Sequence, residues 1–405
     1  MFDKLHHYLL SALFLAAIGL PALVWLNSST QEISKQENRR LKTFPSIKFD
    51  DNGLQNFPKE FESYFKDHYG FRHELVSTSK SLKQHLFNKS PIKHIIRGND
   101  DWLFANQDGS LRDHIGLSPI TDDILAQWQQ HLSNKSQWLD SLGAQYLLVP
   151  VPNKMTLFTE HLPQRIRNHS SQTMLDLLLA ELDKQNDFKG YINLEPLLRA
   201  QKETGLTTLQ ELAQLQETEN LYFKQDTHWT SFGAFLSYQH IMNKLKTMLP
   251  ELSPALTFDD IYAKQVAKRG DLARMSQITV KEMHHHIKQK EQCAIEPPTP
   301  VNRFKDTEAY KLKQKRLPTL TGCPHKNLRA VVVNDSFGAY LKPFFAESFN
   351  QVIFMNSYDL VGMESFLREF KPDVFIDIRV ERSIKRLLAP NEKLQKRLAS
   401  ISSTQ

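Results

Sequence analysis

Several common signatures are missing from this chain. Neither a Gly-x-x-x-x-Gly-Lys segment nor a dinucleotide fingerprint occurs in its 405 residues, so neither ATP nor a nicotinamide cofactor is implied and no cofactor is expected. Cysteine is nearly absent. The two present, Cys293 and Cys323, fall in one stretch of low periodicity, where a disulfide and two free thiols are both open readings in an exported protein. His284-His285-His286 invites a metal, but three adjacent histidines on a regular element cannot all face one ion, and no nearby carboxylate or cysteine set has ligand spacing. A surface loop is the expectation there, with no metal. Basic runs such as Lys311-Leu312-Lys313-Gln314-Lys315-Arg316 lack interleaved aromatics, so nucleic-acid binding has no support. No internal repeat is evident. The formal net charge of +6 fits a solvated basic surface or, more sharply, a basic groove for a polyanionic polymer.

One long apolar run is present. Leu9 to Leu26 is interrupted only by Ser11, Gly19 and Pro21, follows Lys4 and precedes a polar stretch, so it is able to engage a membrane. The expectation is an uncleaved signal anchor, residues 1–27, with the bulk of the chain exported. A cleaved signal peptide is the alternative, and Arg39, Arg40 and Lys42 downstream weaken the positive-inside argument for the anchor's orientation.

Residues 28–90 read as a tether followed by helical pieces, in which Phe57, Phe61, Tyr64 and Phe65 recur at helical spacing as a core face. Asp100-Asp101 between two apolar pairs predicts a hairpin turn at the entrance to a main domain of residues 91–390. From there helical and strand patterns alternate. Helices are predicted over about 122–142, 174–184, 195–203 and 232–245, and strands over 146–151, 190–194, 330–333, 352–355 and 374–380. Such alternation predicts an α/β fold, a parallel sheet with helices on both faces. Sites in such folds lie at the carboxyl ends of strands. Asn153 and Lys154, following one strand, therefore join the candidates for holding a substrate polymer. Between about 250 and 325 the alternation lapses into a basic, proline-containing insertion, a candidate lid or partner surface.

Two short segments carry the chemistry. Asp226-Thr227-His228-Trp229 places a carboxylate and an imidazole two residues apart, on the same side of an extended stretch. Asn334-Asp335-Ser336-Phe337 follows the apolar run Arg329-Ala330-Val331-Val332-Val333 and leads through Gly338 into helical spacing, which predicts Ser336 on a strand-to-helix turn. A serine hydroxyl is a weak nucleophile at neutral pH. A histidine must take its proton during attack, and a carboxylate must fix the histidine's tautomer and stabilise its cation. Turn amides beside the serine are candidates for stabilising an oxyanion. The plain alternatives are an N-cap role for Ser336 and a core histidine bonded to Asp226. Trp229 is expected to pack beside the histidine rather than stack on a substrate.

These segments resemble the SGNH-hydrolase-like acetyltransferases of bacterial exopolysaccharide modification, the alginate O-acetyltransferase group of AlgJ and AlgX type, related to the DHHW proteins. Further pieces of the resemblance, in family order, are Glu37 to Leu41, Tyr64 to Arg72, Gly98 to Phe104, Val149 to Lys154, Gly233-Ala234, Gly270-Asp271-Leu272 and Asp335 to Gly338. The resemblance implies a triad of Asp226, His228 and Ser336, although Asn334 stands where the pattern usually has glycine. It also implies transfer of acetyl groups to hydroxyls of an exported polysaccharide, alginate-like or other. The enzyme would be anchored on the periplasmic side of the inner membrane, with a membrane partner of acyltransferase type delivering acetyl. The residues alone specify acyl or ester chemistry. An acetyl esterase of the same fold and a non-catalytic polysaccharide-binding scaffold are therefore the alternatives.

Overall fold

The computed structural model describes residues 2–27, 33–34, 39–46, 51–72, 74–75, 78, 94–169, 171–184, 188–204, 221–305, 317–356, 363–388 and 396. The basic run 311–316 and most of the expected tether lie outside the described residues. The chain divides into two compact units, one of residues 1–95 with 271–280 and the other of residues 96–270 with 281–405.

The first unit contains helix α1 (Phe2–Asn27) and helix α2 (Asp51–His68). Within α1, His7–Trp25 is long and apolar enough to cross a membrane and is almost wholly unburied, which fits an anchor or a signal. The aromatic residues expected to form one face of α2 do so. Phe57, Phe61 and Phe65 stack in sequence, Tyr64 packs with Phe44, and Phe65 meets Trp25 of α1 edge-on.

The second unit is built on one six-stranded sheet. A hairpin of β1 (Ile95–Arg97) and β2 (Leu103–Ala105) turns at the predicted aspartates, Asp100 and Asp101, both with positive φ. Helix α3 (Asp122–Asp140) begins at Thr121, whose hydroxyl accepts from the Ile124 amide, and the chain leaves it through Gly143 at φ 80°; a glycine adopts that angle without Cβ strain. Then come β3 (Gln145–Val151), α4 (Met174–Lys184), α5 (Glu195–Thr204) and α6 (Ser231–Met248). A separate hairpin, β4 (Ile261–Lys268) with β5 (Glu282–Gln289), precedes the short strands β6 (Thr299–Pro300) and β7 (Thr319–Thr321). The last section is β8 (Arg329–Asn334), α7 (Lys342–Ser348), β9 (Gln351–Met355), α8 (Glu364–Phe370) and β10 (Val374–Val380).

The sheet order is β3-β10-β8-β9-β7-β6. The first four strands are parallel, as predicted, while β7 runs antiparallel to β9 and β6 antiparallel to β7. The sheet is therefore mixed at one edge, and both antiparallel strands come from the insertion of 250–325. The Cys293–Cys323 disulfide, left open by the sequence, closes the loop across this edge with its Cα atoms 5.0 Å apart. The predicted strand at 190–194 shrinks to a single parallel bridge, Leu148 to Tyr191, because Glu195 starts α5 almost at once.

Strand residues alternate between two apolar cores, as the period of a pleated strand requires. Leu147, Val149, Ala330 and Val332 face α6 and α7; Leu148, Val331 and Val333 face α3, α4 and α8. Within the second core a charged pair is fully buried: Lys135 of α3 meets Asp377 of β10. The Tyr146 hydroxyl donates to the same carboxylate at 3.0 Å, and the Tyr146 and Phe375 rings lie 4.4 and 5.1 Å from the ammonium. Burial lowers the Lys135 pKa to about 8, against the opposing pull of Asp377. Removing one partner of such a pair strands the other charge away from water. Lys135→Met is thus expected to destabilise the fold by about 3–5 kcal/mol, and Lys135→Met with Asp377→Leu to recover most of that loss. Denaturant titration of the three proteins checks this, and a single-variant loss under about 1 kcal/mol contradicts it.

Candidate active site

Residues Leu221 to Thr230 form a closed loop. Tyr222 bridges Trp229, the Phe223 amide donates to the His228 carbonyl at 3.2 Å, and the Thr230 amide donates to the Leu221 carbonyl at 2.9 Å. At its tip the Asp226 carboxylate folds back: Oδ1 accepts from the His228 amide at 3.1 Å and lies 2.6 Å from His228 Nδ1. The pair therefore meets through an Asx-type bend and not, as the spacing suggested, along an extended strand.

The loop is filled by an ammonium. Lys154, at the carboxyl end of β3, donates to the carbonyls of Phe223 (3.0 Å), Lys224 (3.0 Å) and Asp226 (2.7 Å). The Trp102 and Phe104 rings cover it at 5.6 and 5.4 Å. The Lys154 and Asn153 side chains are buried. The Asn153 amide donates to Glu381, and its side-chain oxygen accepts from Arg382. Both candidates for holding a polymer are thereby corrected: they are internal struts.

Ser336 lies on the turn after β8, as predicted, and is exposed. Its hydroxyl is 2.7 Å from His228 Nε2. A carboxylate only accepts, so Nδ1 carries the imidazole proton, Nε2 is the acceptor and the serine hydroxyl is the donor. Exposure rises along this chain from Asp226, 2 % exposed, through His228, partly exposed, to the open serine. The N-cap alternative does not hold, since no side-chain cap bond is made at the 3-10 turn Gly338–Tyr340 that follows. Asp335 does the local work: Oδ1 accepts from the Phe337 amide at 2.9 Å, and Oδ2 accepts from the Val380 amide at 2.8 Å and the Ser383 hydroxyl at 3.3 Å. The Phe337 amide, one of the turn amides that were candidates for an oxyanion, is thus already engaged. Asn334, in place of the usual glycine, is a regular strand residue paired with Ile378 and has no positive φ, so the position makes no demand that only glycine meets.

Trp229 joins the two segments. Its indole is fully buried, and Nε1 donates to the Phe337 carbonyl at 3.0 Å, which bears out a packing role. Lys268 carries no motif that would mark it from sequence. Its ammonium lies 3.1 Å from Asp226 Oδ2, 2.6 Å from the Tyr340 hydroxyl and 3.9 Å from the Phe223 ring centroid. Burial draws its pKa down, but Asp226 and then Tyr340 outweigh that and hold it above the ordinary lysine value. The three histidines are also corrected, because they lie on strand β5 and not on a loop. His284 is buried edge-on against Phe223 at 4.7 Å, with a pKa near 4 caused first by burial and next by the Lys268 charge.

Residues 95–320, just over half of the chain, match the family model described as SGNH hydrolase-like domain, acetyltransferase AlgX. The chain belongs to that family. It is an acetyltransferase of SGNH-hydrolase-like α/β fold. The match includes Asp226 and His228 but ends before Ser336, so the serine's place rests on the distances above. Among solved structures, Bacillus cereus PatB1 superposes with a TM-score of 0.51 at 16 % identity, covering 73 % of this chain and 97 % of that one, and shares the fold. The O-acetyltransferase domain of Pseudomonas putida AlgJ gives 0.45 at 14 % identity over 77 % and 99 %, and Pseudomonas aeruginosa AlgX 0.43 at 14 % over 71 % and 62 %. Comparison with curated sequences finds no match.

Glu381, at the end of β10, supports the strand ends from below. Its Oε2 accepts from the Asn153 amide at 2.7 Å and the Thr156 hydroxyl at 2.8 Å, and burial raises its pKa to about 7 in spite of those bonds. Between about pH 4.5 and 7 the folded state of this AlgX-type domain holds a proton that the unfolded state has lost, so this group's contribution to stability falls as pH rises through that window. Glu381→Gln keeps the acceptor and removes the ionisation. Its stability advantage over the parent is expected to be larger at pH 8 than at pH 5 by about 2–4 kcal/mol. Denaturant titration of both proteins at the two pH values measures it, and a pH-independent difference contradicts it.

Proposed function

We propose that this acetyltransferase moves acetyl groups onto hydroxyls of an exported polysaccharide by way of an acetyl ester on Ser336. The observation that carries the reading is the hydrogen-bonded chain from buried Asp226 through His228 to exposed Ser336. Ser336 Oγ attacks the acetyl carbonyl of the donor while His228 Nε2 takes its proton, and Asp226 stabilises the resulting imidazolium. Collapse of the tetrahedral adduct breaks the bond to the leaving oxygen, which departs with the proton from His228. A sugar hydroxyl then gives its proton to His228 and attacks the acetyl-serine; Ser336 leaves and regains that proton.

Membership of an acetyltransferase family supports transfer over hydrolysis. Polysaccharide O-acetylation in general is the reaction class of AlgX- and AlgJ-like domains, which supports a polysaccharide as acceptor. The apolar helix α1 supports attachment to a membrane; in this reading that is the inner membrane, with the catalytic unit on the periplasmic side and a membrane partner supplying acetyl. The presence of all three residues in one hydrogen-bonded chain argues against the scaffold alternative, which needs no such relay.

The full-length chain in detergent, given 4-nitrophenyl acetate and either anionic or neutral oligosaccharides, is expected to produce sugars heavier by acetyl units. Ser336→Ala is expected to lower turnover by about 10³-fold or more with its melting temperature unchanged. Unaltered turnover in a folded Ser336→Ala protein contradicts the assignment, and release of acetate with no acetylated sugar in any acceptor moves it to an esterase.

A further inference from the structure

The hairpin of β4 and β5 ends on the catalytic loop. Lys268 and Glu282 are its last paired residues, opposite one another in register. Lys268 holds Asp226 Oδ2, while the two oxygens of Glu282 accept from the amides of Lys224 (2.8 Å) and Gln225 (3.1 Å). Two residues beyond Lys268, Gly270 presses on the same loop: a Cβ there would lie 2.0 Å from the Gln225 carbonyl oxygen, a distance no side chain tolerates. A cation, a carboxylate and a bare backbone therefore grip four consecutive residues, Phe223 to Asp226, from one side.

The division of labour at Asp226 is what matters. Its Oδ1 is given to His228, through both the ring and the amide, and its Oδ2 to Lys268. Rotation of the carboxylate about its last bond would break both sets at once. The Lys268 side chain is only 26 % exposed and that of Asp226 3 %, so this charge pair is weakly screened compared with one on a surface.

We propose that Lys268 is a positioning residue for acetyl transfer, pinning the Asp226 carboxylate and offsetting its charge, with Glu282 securing the loop from the facing strand. The inference rests on the triad reading above. Its physical content is twofold. Pinning keeps the imidazole aimed at Ser336, which acts on kcat and not on substrate affinity. A positive charge beside the carboxylate also weakens its pull on a cationic ring, so removing that charge is expected to move the acidic limb of activity. Other titratable groups around the pair include Tyr340, whose hydroxyl oxygen accepts from the ammonium, His284 and His286, whose pKa values are lowered in part by Lys268, Glu282 on the loop amides, and Asp271, whose carboxylate lies within 4.8 Å of the Asp226 and His228 side chains.

The test compares full-length parent, Lys268→Met, Lys268→Arg and Ser336→Ala in detergent, using 4-nitrophenyl acetate across pH. Methionine keeps the apolar stem over Phe223 and removes charge and donors. The expected result is a kcat about 10-fold lower or more, KM within about twofold, and an acidic limb of kcat/KM displaced to higher pH. Lys268→Arg should restore most of kcat and the parent profile. If the methionine protein does not fold, Lys268→Gln, which keeps an N–H donor without charge, should show the same displacement of the limb. An unchanged kcat and profile in a folded Met or Gln variant, with Ser336→Ala inactive, overturns this inference alone. Retained turnover in Ser336→Ala overturns the triad reading, and this inference with it.

Discussion

The Lys154 ammonium sits inside the loop that carries Asp226 and His228, bonded to three of its carbonyls, and the rest of the site follows from that arrangement. A loop of this length exposes backbone groups that secondary structure would otherwise satisfy. One buried cation collects three of them, and aromatic rings from the β1–β2 hairpin close over it. Because Lys154 stands at the carboxyl end of β3, the loop is tied directly to the sheet. Asp226 and His228 thus occupy a fixed place beside the strand ends without belonging to a strand of the sheet.

Ser336 reaches them by a separate route. Strand β8 delivers it, Asp335 ties its turn to the start of the segment after β10, and the Trp229 indole links that turn to the loop. Three parallel strands, β3, β8 and β10, therefore supply the supports of the site through Lys154, Asp335 and Glu381. The sheet does not itself carry Asp226 and His228. Exposure rises from Asp226 to Ser336, so the serine hydroxyl is open to solvent while the carboxylate beside the imidazole stays dry.

Much of this was legible in the sequence, because the strongest signals were periodic. The helices 122–140, 174–184 and 195–204 and the strands 145–151, 329–334 and 374–380 lie within a few residues of their predicted bounds, since runs of buried β-branched residues between helical patterns have few other solutions. The Asp226, His228 and Ser336 contacts were legible for a different reason: residue types that need one another chemically stood at fitting positions. What failed depended on tertiary context. An Asx bend and an extended strand both bring residues two apart together, so the local conformation was ambiguous. Lys154 and Asn153 sit at a strand end, where a binding role and a supporting role have the same sequence signature until burial is known. Lys268 gave no signal because the partners it serves are far away in the chain, and its strand carries no motif. The antiparallel edge strands are only two and three residues long, too short for any alternation to register.

The central claim is that acetyl passes through Ser336. It is tested most directly by acid-quenching the full-length enzyme during turnover of 4-nitrophenyl acetate, followed by proteolysis and mass spectrometry of the peptides. The account predicts one acetyl group on the peptide containing Ser336, labile in base, lost on adding an acceptor sugar and absent from Ser336→Ala. Acetyl found only on other residues, or an enzyme that acetylates the sugar at full rate with Ser336 replaced, would contradict it.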